Sequence, residues 1–167
     1  MLDFQTVKLI IMIKKLILLS VLLSSSIALA QKDPTAVIDQ KIKDFFEDFH
    51  RKDTLELKSY FDASASLQSV VKLKDGSTKI IEEPIAKFVS SIGSIPDSIH
   101  FEERISKASI QIAKGLVHAF VPYEFYVDKQ FSHCGVNSFI FVLIEDQWLI
   151  SNIIDTRNLT ACQTDQT

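Results

Sequence analysis

The feature that most constrains the fold of this chain is a change in hydrophobic period at about residue 100. Before it, most apolar residues recur every three or four positions, the spacing of one helical face. After it, long runs alternate between apolar and polar residues, as half-buried strands do. Helices gathered before a run of long strands are typical of an α+β domain, in which the helices cover one face of an antiparallel sheet.

Three helices are predicted before residue 100. The first begins at Pro34, since Asp33 offers a capping oxygen and proline suits the first helical position. Asp53 and Glu56 have the spacing of a capping box and predict a short second helix. A third helix begins at Glu83-Pro84, and its end is predicted at a left-handed glycine, Gly93. The apolar faces of these helices are Ile38, Ile42, Phe45, Phe46 and Phe49; Leu57, Tyr60 and Phe61; and Ile85, Phe88, Val89 and Ile92.

The strands are predicted to form one bent antiparallel sheet. Asp75-Gly76 suits a tight hairpin turn between two strands, 67–74 and 77–82. The alternation slips near Ser106-Lys107, which predicts a β-bulge, and Pro122 is expected at an edge or a bulge. Because a long curved sheet with helices across it encloses a cone, we expect a cone-shaped α+β fold with three N-terminal helices on a curved antiparallel sheet.

The first thirty residues are predicted to be a secretory signal peptide. Lys14 and Lys15 precede a short apolar run, and Ala28-Leu29-Ala30 before a polar residue forms a cleavage site. A membrane anchor is the alternative, but the run from 16 to 30 contains three consecutive serines and is shorter than the roughly 20 apolar residues of a span. Met12 begins a more typical signal than Met1 does.

After cleavage, the protein is expected to be exported, periplasmic or secreted, with no membrane attachment. A single domain would span residues 31–167 and end in a short polar tail. In an oxidising compartment, Cys134 and Cys162 are expected to form a disulfide. If the last hairpin turns around Asp146, Cys134 pairs with Asn158, and the tail after it can fold back to close the bridge.

Composition excludes several classes of protein. Hydrophobic residues make up 47% of the 167 residues and the net charge is −3, which fits a globular domain and excludes a disordered chain. The 18 Lys and Arg residues are scattered, so no nucleic-acid partner is expected. The sequence has no phosphate loop, zinc-ligand spacing or calcium loop, so neither a metal nor a cofactor is expected.

The last strand carries the pair of charged residues with the clearest chemical potential. Leu149, Ser151, Ile153, Asp155 and Arg157 share one face by the period of two, and we expect this face to look inward. Burial would favour the acid form of Asp155 and suit proton transfer, whereas Arg157 would favour the carboxylate. The second arrangement makes a structural ion pair, or holds Arg157 to bind an anion. The sequence favours the structural pair.

Together these segments resemble the nuclear transport factor 2-like (SnoaL-like) superfamily. The resemblance is carried by the helices at Ala36–Arg51 and Pro84–Ile92 and by the closing segments 131–139 and 146–157. It implies an exported bacterial domain whose cone holds a small apolar or amphipathic molecule. The superfamily also includes cofactor-free isomerases and dehydratases, and modules that only dimerise, so the resemblance leaves the function open.

Site residues beyond the pair follow from the resemblance. Tyr126 shares a face with His118 and Glu124, and a tyrosine beside a carboxylic acid can hydrogen-bond an enolate oxygen. Asp155 and Tyr126 are therefore catalytic candidates. His133 precedes the final hairpin and can reach the mouth of the cone. The expected ligand-binding residues are Asp155, Arg157, Tyr126, His133, Tyr60 and His118.

The predicted function is an exported small-ligand-binding domain with an apolar cone pocket and no assigned reaction. The first alternative is a metal-independent isomerase or dehydratase that works by proton transfer. The second is a homodimerisation module, since the strands from Leu116 and Val136 are apolar on both faces and a second copy would cover the outer one.

Overall fold

The structure is a computed structural model that describes residues 8, 12–15, 33–73 and 75–158. The chain divides into two units, Met1–Lys32 and Asp33–Thr167. The predicted cleavage site after Ala30 and the predicted disulfide partner Cys162 lie outside the described residues, so both stay predictions. Among the described residues, no helix has the length and apolarity that a membrane span requires.

The described part of the second unit contains three helices and seven strands. In chain order they are α1 (Pro34–Arg51), α2 (Thr54–Ser59), β1 (Phe61–Lys72), β2 (Thr78–Pro84), α3 (Ile85–Gly93), β3 (Phe101–Ile105), β4 (Ser109–Ala113), β5 (Leu116–Val127), β6 (Gln130–Ile144) and β7 (Gln147–Asn158).

The strands form one sheet in the order β2-β1-β7-β6-β5-β3, and β4 also pairs with β5. The prediction of a wholly antiparallel sheet is wrong at one place, because β1 and β7 run parallel. These two strands are joined through the rest of the domain and not by a hairpin, so no tight turn imposes an antiparallel pairing. The remaining pairs are antiparallel, and the predicted α+β fold is confirmed.

Both predicted helix caps at aspartates are present. The side chain of Asp33 accepts a hydrogen bond from the Thr35 backbone nitrogen at 3.0 Å. Asp53 accepts one from the Glu56 nitrogen at 3.1 Å. Helix α3 ends at Gly93 as predicted, but the predicted left-handed conformation is wrong, since Gly93 is still helical and the chain leaves through Ser94 in a right-handed conformation.

Gly93 is required for another reason. A Cβ atom built there would lie 2.6 Å from the Cγ2 atom of Thr54, so α2 and α3 approach each other closely at this point. Glycine therefore serves the packing of two helices and not the termination of one.

The predicted irregularity between β3 and β4 is present as a break with a shift of one residue. Ile105 pairs with Tyr123, whereas Ser109 pairs with Phe120. Pro122 lies opposite the break, where its carbonyl accepts a hydrogen bond from the Ser106 nitrogen at 2.8 Å. The N–H and C=O groups of a residue in an antiparallel strand point to the same neighbouring strand. The N–H group that Pro122 lacks would therefore point to the gap between β3 and β4, where no strand needs it as a hydrogen-bond donor.

The last hairpin turns at Glu145-Asp146, and both residues have positive φ, 47° and 62°. The sequence predicts a three-residue turn, Glu145-Asp146-Gln147, but Gln147 already belongs to β7, so the turn is one residue shorter. The predicted pair of Cys134 with Asn158 is present, whereas the pairs next to the turn, such as Ile144 with Gln147, differ from the predicted register by one residue. Cys134 is buried at this position.

A bulge in β7 changes which side chains face the helices. Ile140 pairs with Asn152 and Phe141 with Ile150, so Ser151 is an extra residue. Ile150, Ile153 and Asp155 are all buried as a result. The predicted inward face is therefore right from Ile153 onward and wrong at Leu149 and Ser151. The whole predicted apolar face of α1 is buried against this side of the sheet.

Candidate functional site

A cavity of about 310 Å³ lies between helices α1 and α3 and the concave face of the sheet. One part of its wall is apolar and mostly aromatic, and the other is polar. The apolar lining is Phe45, Phe46, Phe49, Leu67, Phe88, Ile92, Phe125, Phe139 and Ile153. The polar lining is Ser69, Glu83, Ser91, Glu103, Tyr123, His133, Asn137, Asp155 and Arg157.

The register of the sheet brings most of the polar residues together. They occupy three adjacent rows across the strands, because strands in register place partners side by side. The rows are Glu103, Phe125 and His133; Tyr123, Gly135 and Arg157; and Asn137, Asp155 and Ser69.

Asp155 is buried at 6% exposure, and both of its oxygens are occupied. Ser69 donates its hydroxyl to Oδ1 from the neighbouring strand. Arg157 donates its Nε–H to Oδ2 at 2.8 Å. The Arg157 side chain is 52% exposed, so the pair extends from the cavity wall toward solvent. This geometry is that of the structural ion pair, the arrangement that the sequence favours.

Glu103 is the carboxyl group with an oxygen left over. Its Oε1 accepts a hydrogen bond from Asn137 Nδ2 at 2.6 Å. Its Oε2 has no hydrogen bond within the described part of the chain, where every fully buried side-chain oxygen or nitrogen has a partner. Oε2 is therefore not fully buried, and the Glu103 residue lines the cavity.

Burial raises the pKa of Glu103 to about 7. The hydrogen bond from Asn137 opposes this effect, the charge of Asp155 adds to it, and Arg157 opposes it. The backbone also holds the residue, since the Glu103 N–H donates to Nε2 of His50 at 2.8 Å. Helix α1 thus fixes β3 at the position where the carboxyl group enters the cavity.

His133 and Tyr123 complete the polar wall as neutral groups. The His133 ring stacks on Phe125 with centroids 4.9 Å apart. Burial, with the nearby Arg157 charge, lowers the pKa of His133. Burial and two neighbouring carboxylates raise the pKa of Tyr123, whose hydroxyl donates to the Thr156 carbonyl at 3.1 Å. Between them, Gly135 carries no side chain, and a Cβ there would lie 1.8 Å from the Thr156 oxygen.

Three residues that the sequence predicted for the site lie elsewhere. The Tyr126 hydroxyl donates to Glu124 at 2.8 Å, and the Arg104 guanidinium lies 4.0 Å from the centre of its ring. His118 is within 2.9 Å of the Ser138 hydroxyl. Both project from the outer side of β5, because its inward residues are the odd-numbered ones. Tyr60 is in the core and donates to Asp48 at 2.7 Å.

Three of the predicted site residues line the cavity: Asp155, Arg157 and His133. Sequence reasoning missed Glu103, Asn137, Tyr123 and Ser69. The signal for Glu103 was present, since it lies in the same strand phase as Phe101 and Ile105, and an acid in an inward apolar phase is unusual. No group of three or more His, Cys, Asp or Glu residues within the described ranges is arranged to hold a metal ion.

Comparison with known proteins gives relatives in structure alone. No protein-family model matches the sequence. No curated protein is similar to it either. A nuclear transport factor 2-like protein from Cytophaga hutchinsonii has a TM-score of 0.61 at 14% identity, over 75% of this chain and 99% of that chain.

Two further structures are named for enzymes. The beta subunit of a proposed aromatic-ring-hydroxylating dioxygenase from Novosphingobium aromaticivorans has a TM-score of 0.61 at 13% identity, over 80% of this chain and 97% of that chain. A proposed dehydratase of the nuclear transport factor 2-like family from Streptomyces avermitilis has a TM-score of 0.55 at 13% identity, over 76% of this chain and 99% of that chain. Identities this low establish a shared fold and nothing about activity.

Proposed function

We propose that this chain, which has the nuclear transport factor 2-like fold, is an exported domain that binds one small amphipathic molecule in its cavity. The observation that carries the proposal is the division of the cavity wall into an aromatic part and a polar part. Binding sites for small molecules are concave and mostly apolar, with a few polar groups that fix the orientation of the ligand.

Each part of the wall has a separate role in binding. The phenylalanine rings supply affinity, because every 100 Å² of ligand apolar surface removed from water contributes about 2.5 kcal/mol. The free Glu103 oxygen and the Asn137 amide supply orientation. Asp155 and Arg157 hold each other and shape the rim. The predicted signal peptide supports export.

Two neighbouring residues of β1 offer a matched test of binding. Leu67 lines the cavity, whereas Gln68 follows it in the strand and faces the other side of the sheet. Leu67→Trp is expected to fill the cavity and Gln68→Trp to leave it open. Native mass spectrometry of protein purified from its own host should show a retained small molecule in the wild type and in Gln68→Trp, but not in Leu67→Trp. Equal retention by all three folded proteins would contradict the proposal.

A second candidate is a metal-independent enzyme of the isomerase or dehydratase type. Glu103 favours it, since a carboxyl group with a free oxygen and a pKa of about 7 is suited to take a proton from one substrate atom and return it to another. Asp155, a catalytic candidate from the sequence, has both oxygens occupied.

A small ketone tests this chemistry without knowledge of the substrate. If Glu103 is the base, the wild type should accelerate exchange of the α-protons of cyclohexanone in D₂O, measured by NMR. Glu103→Gln should abolish the acceleration and remain folded. Glu124→Gln, on the outer side of β5, is the control and should behave as the wild type. Exchange at the buffer rate with wild-type protein argues for binding alone.

The outer face of the sheet supports homodimerisation. It exposes large apolar residues, among them Ile80 at 60%, Leu116 at 46% and Phe120 at 45%. A second copy of the chain would cover this face. Sedimentation analysis should show a dimer that Phe120→Asp dissociates, while a wild-type monomer at all concentrations would contradict this assignment.

A further inference from the structure

We infer that the cavity selects an organic cation: a molecule whose protonated amine donates to Glu103 and whose apolar body lies among the phenylalanine rings. This inference rests on the proposed binding function and names the chemical class of the ligand. It follows from the charges of the cavity wall, the hydrogen bonds already made there, and the rings opposite.

Once the paired charges of the cavity wall are set aside, the charge that remains is that of Glu103. Arg157 is the guanidinium of the lining, and its Nε–H is bound to Asp155, so these two charges offset each other. Glu83 lies within 3.4 Å of the Lys87 ammonium on the surface side. His133 is held neutral by burial and by Arg157, which lower its pKa. Once Glu103 ionises, the cavity carries one uncompensated negative charge.

The hydrogen bonds of the wall leave one carboxylate oxygen of Glu103 as a place for a donor. Oε2 of Glu103 is the accessible acceptor, with Oε1 fixed by Asn137. Two nearby donors are already in use, since Ser69 donates to Asp155 and Tyr123 to the Thr156 carbonyl, whereas Arg157 keeps N–H groups beyond the one it gives to Asp155. An incoming N–H group can pair with Oε2 of Glu103, and a charged donor makes the stronger bond to a carboxylate.

The aromatic wall reinforces the same choice. The faces of aromatic rings attract cations, and the effect grows when the cation is removed from water. Six phenylalanines line the cavity: Phe45, Phe46, Phe49, Phe88, Phe125 and Phe139. A carboxylate ligand would meet these electron-rich faces together with the uncompensated charge of Glu103, so an anion is disfavoured on both counts.

Binding of a cation has a distinctive consequence for protons. Burial raises the pKa of Glu103 to about 7, so at pH 6 the group is protonated in roughly nine molecules of ten. An ammonium group beside it favours the carboxylate and releases that proton. The charged or titratable groups that face Glu103 are His50 of α1, Tyr123 of β5, His133 of β6, and Asp155 and Arg157 of β7.

A matched series of three probes tests the inference by isothermal titration calorimetry: n-hexylammonium, 1-hexanol and hexanoate. At pH 8 we expect hexylammonium to bind at least ten times more tightly than hexanol, and hexanoate to bind more weakly than either. Glu103→Gln should remove the advantage of the ammonium over hexanol. Glu124→Gln is the control and should match the wild type.

Proton release gives a second measurement. At pH 6, titrations in two buffers with different ionisation enthalpies should show release of close to one proton per hexylammonium bound, and none in Glu103→Gln. Equal affinities for hexanol and hexylammonium, or a preference for hexanoate, would overturn the inference and leave the binding function in place. Failure of all three probes, together with no ligand in the native mass spectrum, would overturn both.

Discussion

The stability of this protein should depend on pH through Glu103, and the sign is fixed by the direction of its pKa. The folded pKa is about 7, against a reference value of 4.5 for the exposed group. Protonated Glu103 therefore stabilises the fold fully below the reference pKa, and this stabilisation is lost as pH rises through the folded pKa. For these two values, the free energy of unfolding should fall by about 2.5 kcal/mol between pH 5 and pH 8.

The measurement is a comparison of the wild type with Glu103→Gln by urea denaturation, followed by far-UV circular dichroism at four pH values. Glutamine has nearly the same shape as glutamate and does not titrate. The difference in unfolding free energy between the two proteins should therefore change by about 2.5 kcal/mol between pH 5 and pH 8. His133 has a lowered pKa and acts in the opposite direction, but it is present in both proteins and cancels. A difference that stays constant from pH 5 to pH 8 would refute the placement of this carboxyl group.

Three further substitutions test the packing described above. Gly135→Ala should lower the free energy of unfolding by about 3 kcal/mol or more, the upper end of overpacking costs, because its Cβ would lie 1.8 Å from the backbone oxygen of Thr156. A thermal melt equal to that of the wild type would contradict the close approach. Gly93→Ala should lower the free energy of unfolding by about 1–2 kcal/mol, and most of this loss should be recovered in combination with Thr54→Ser, which removes the obstructing methyl group. Additive effects in the double mutant would exclude this contact. Tyr60→Phe should lower the free energy of unfolding by about 1–3 kcal/mol, because it removes the hydroxyl that donates to the buried Asp48 carboxylate. Tyr126→Phe, on the outer face of the sheet, should change it by no more than about 0.5 kcal/mol. Equal losses in urea titrations would argue against this difference in burial.

Local signals in the sequence predicted most of the fold. The caps at Asp33 and Asp53, the apolar face of α1 and the turn at Asp75-Gly76 each depend on residues close in the chain, so a short window contains the information. The pairing of Cys134 with Asn158 was predicted from a turn around Asp146, but two offsetting differences produce it: the turn is one residue shorter, and the bulge at Ser151 restores the register.

The parts that sequence reasoning missed depend on contacts distant in the chain. The bulge at Ser151 has no glycine or proline to mark it, and it reverses the faces of half a strand. The parallel pairing of β1 with β7 is set by the packing of the whole domain. The prediction that Tyr126 faces the site is wrong because the partner strands decide which face of β5 is turned inward. The outer face of β5 is also rich in apolar residues, so the sequence alone does not distinguish the two faces.

The hydrogen bond between Ser69 and Asp155 joins residues 86 positions apart, across the one parallel pair of strands. Closing a loop of this length costs conformational entropy, which the contacts between the two strands must offset. The polar wall therefore draws on both ends of the folded domain, and it is complete only where the final strand is docked against the first. Recognition of a ligand by this wall thus requires that docking.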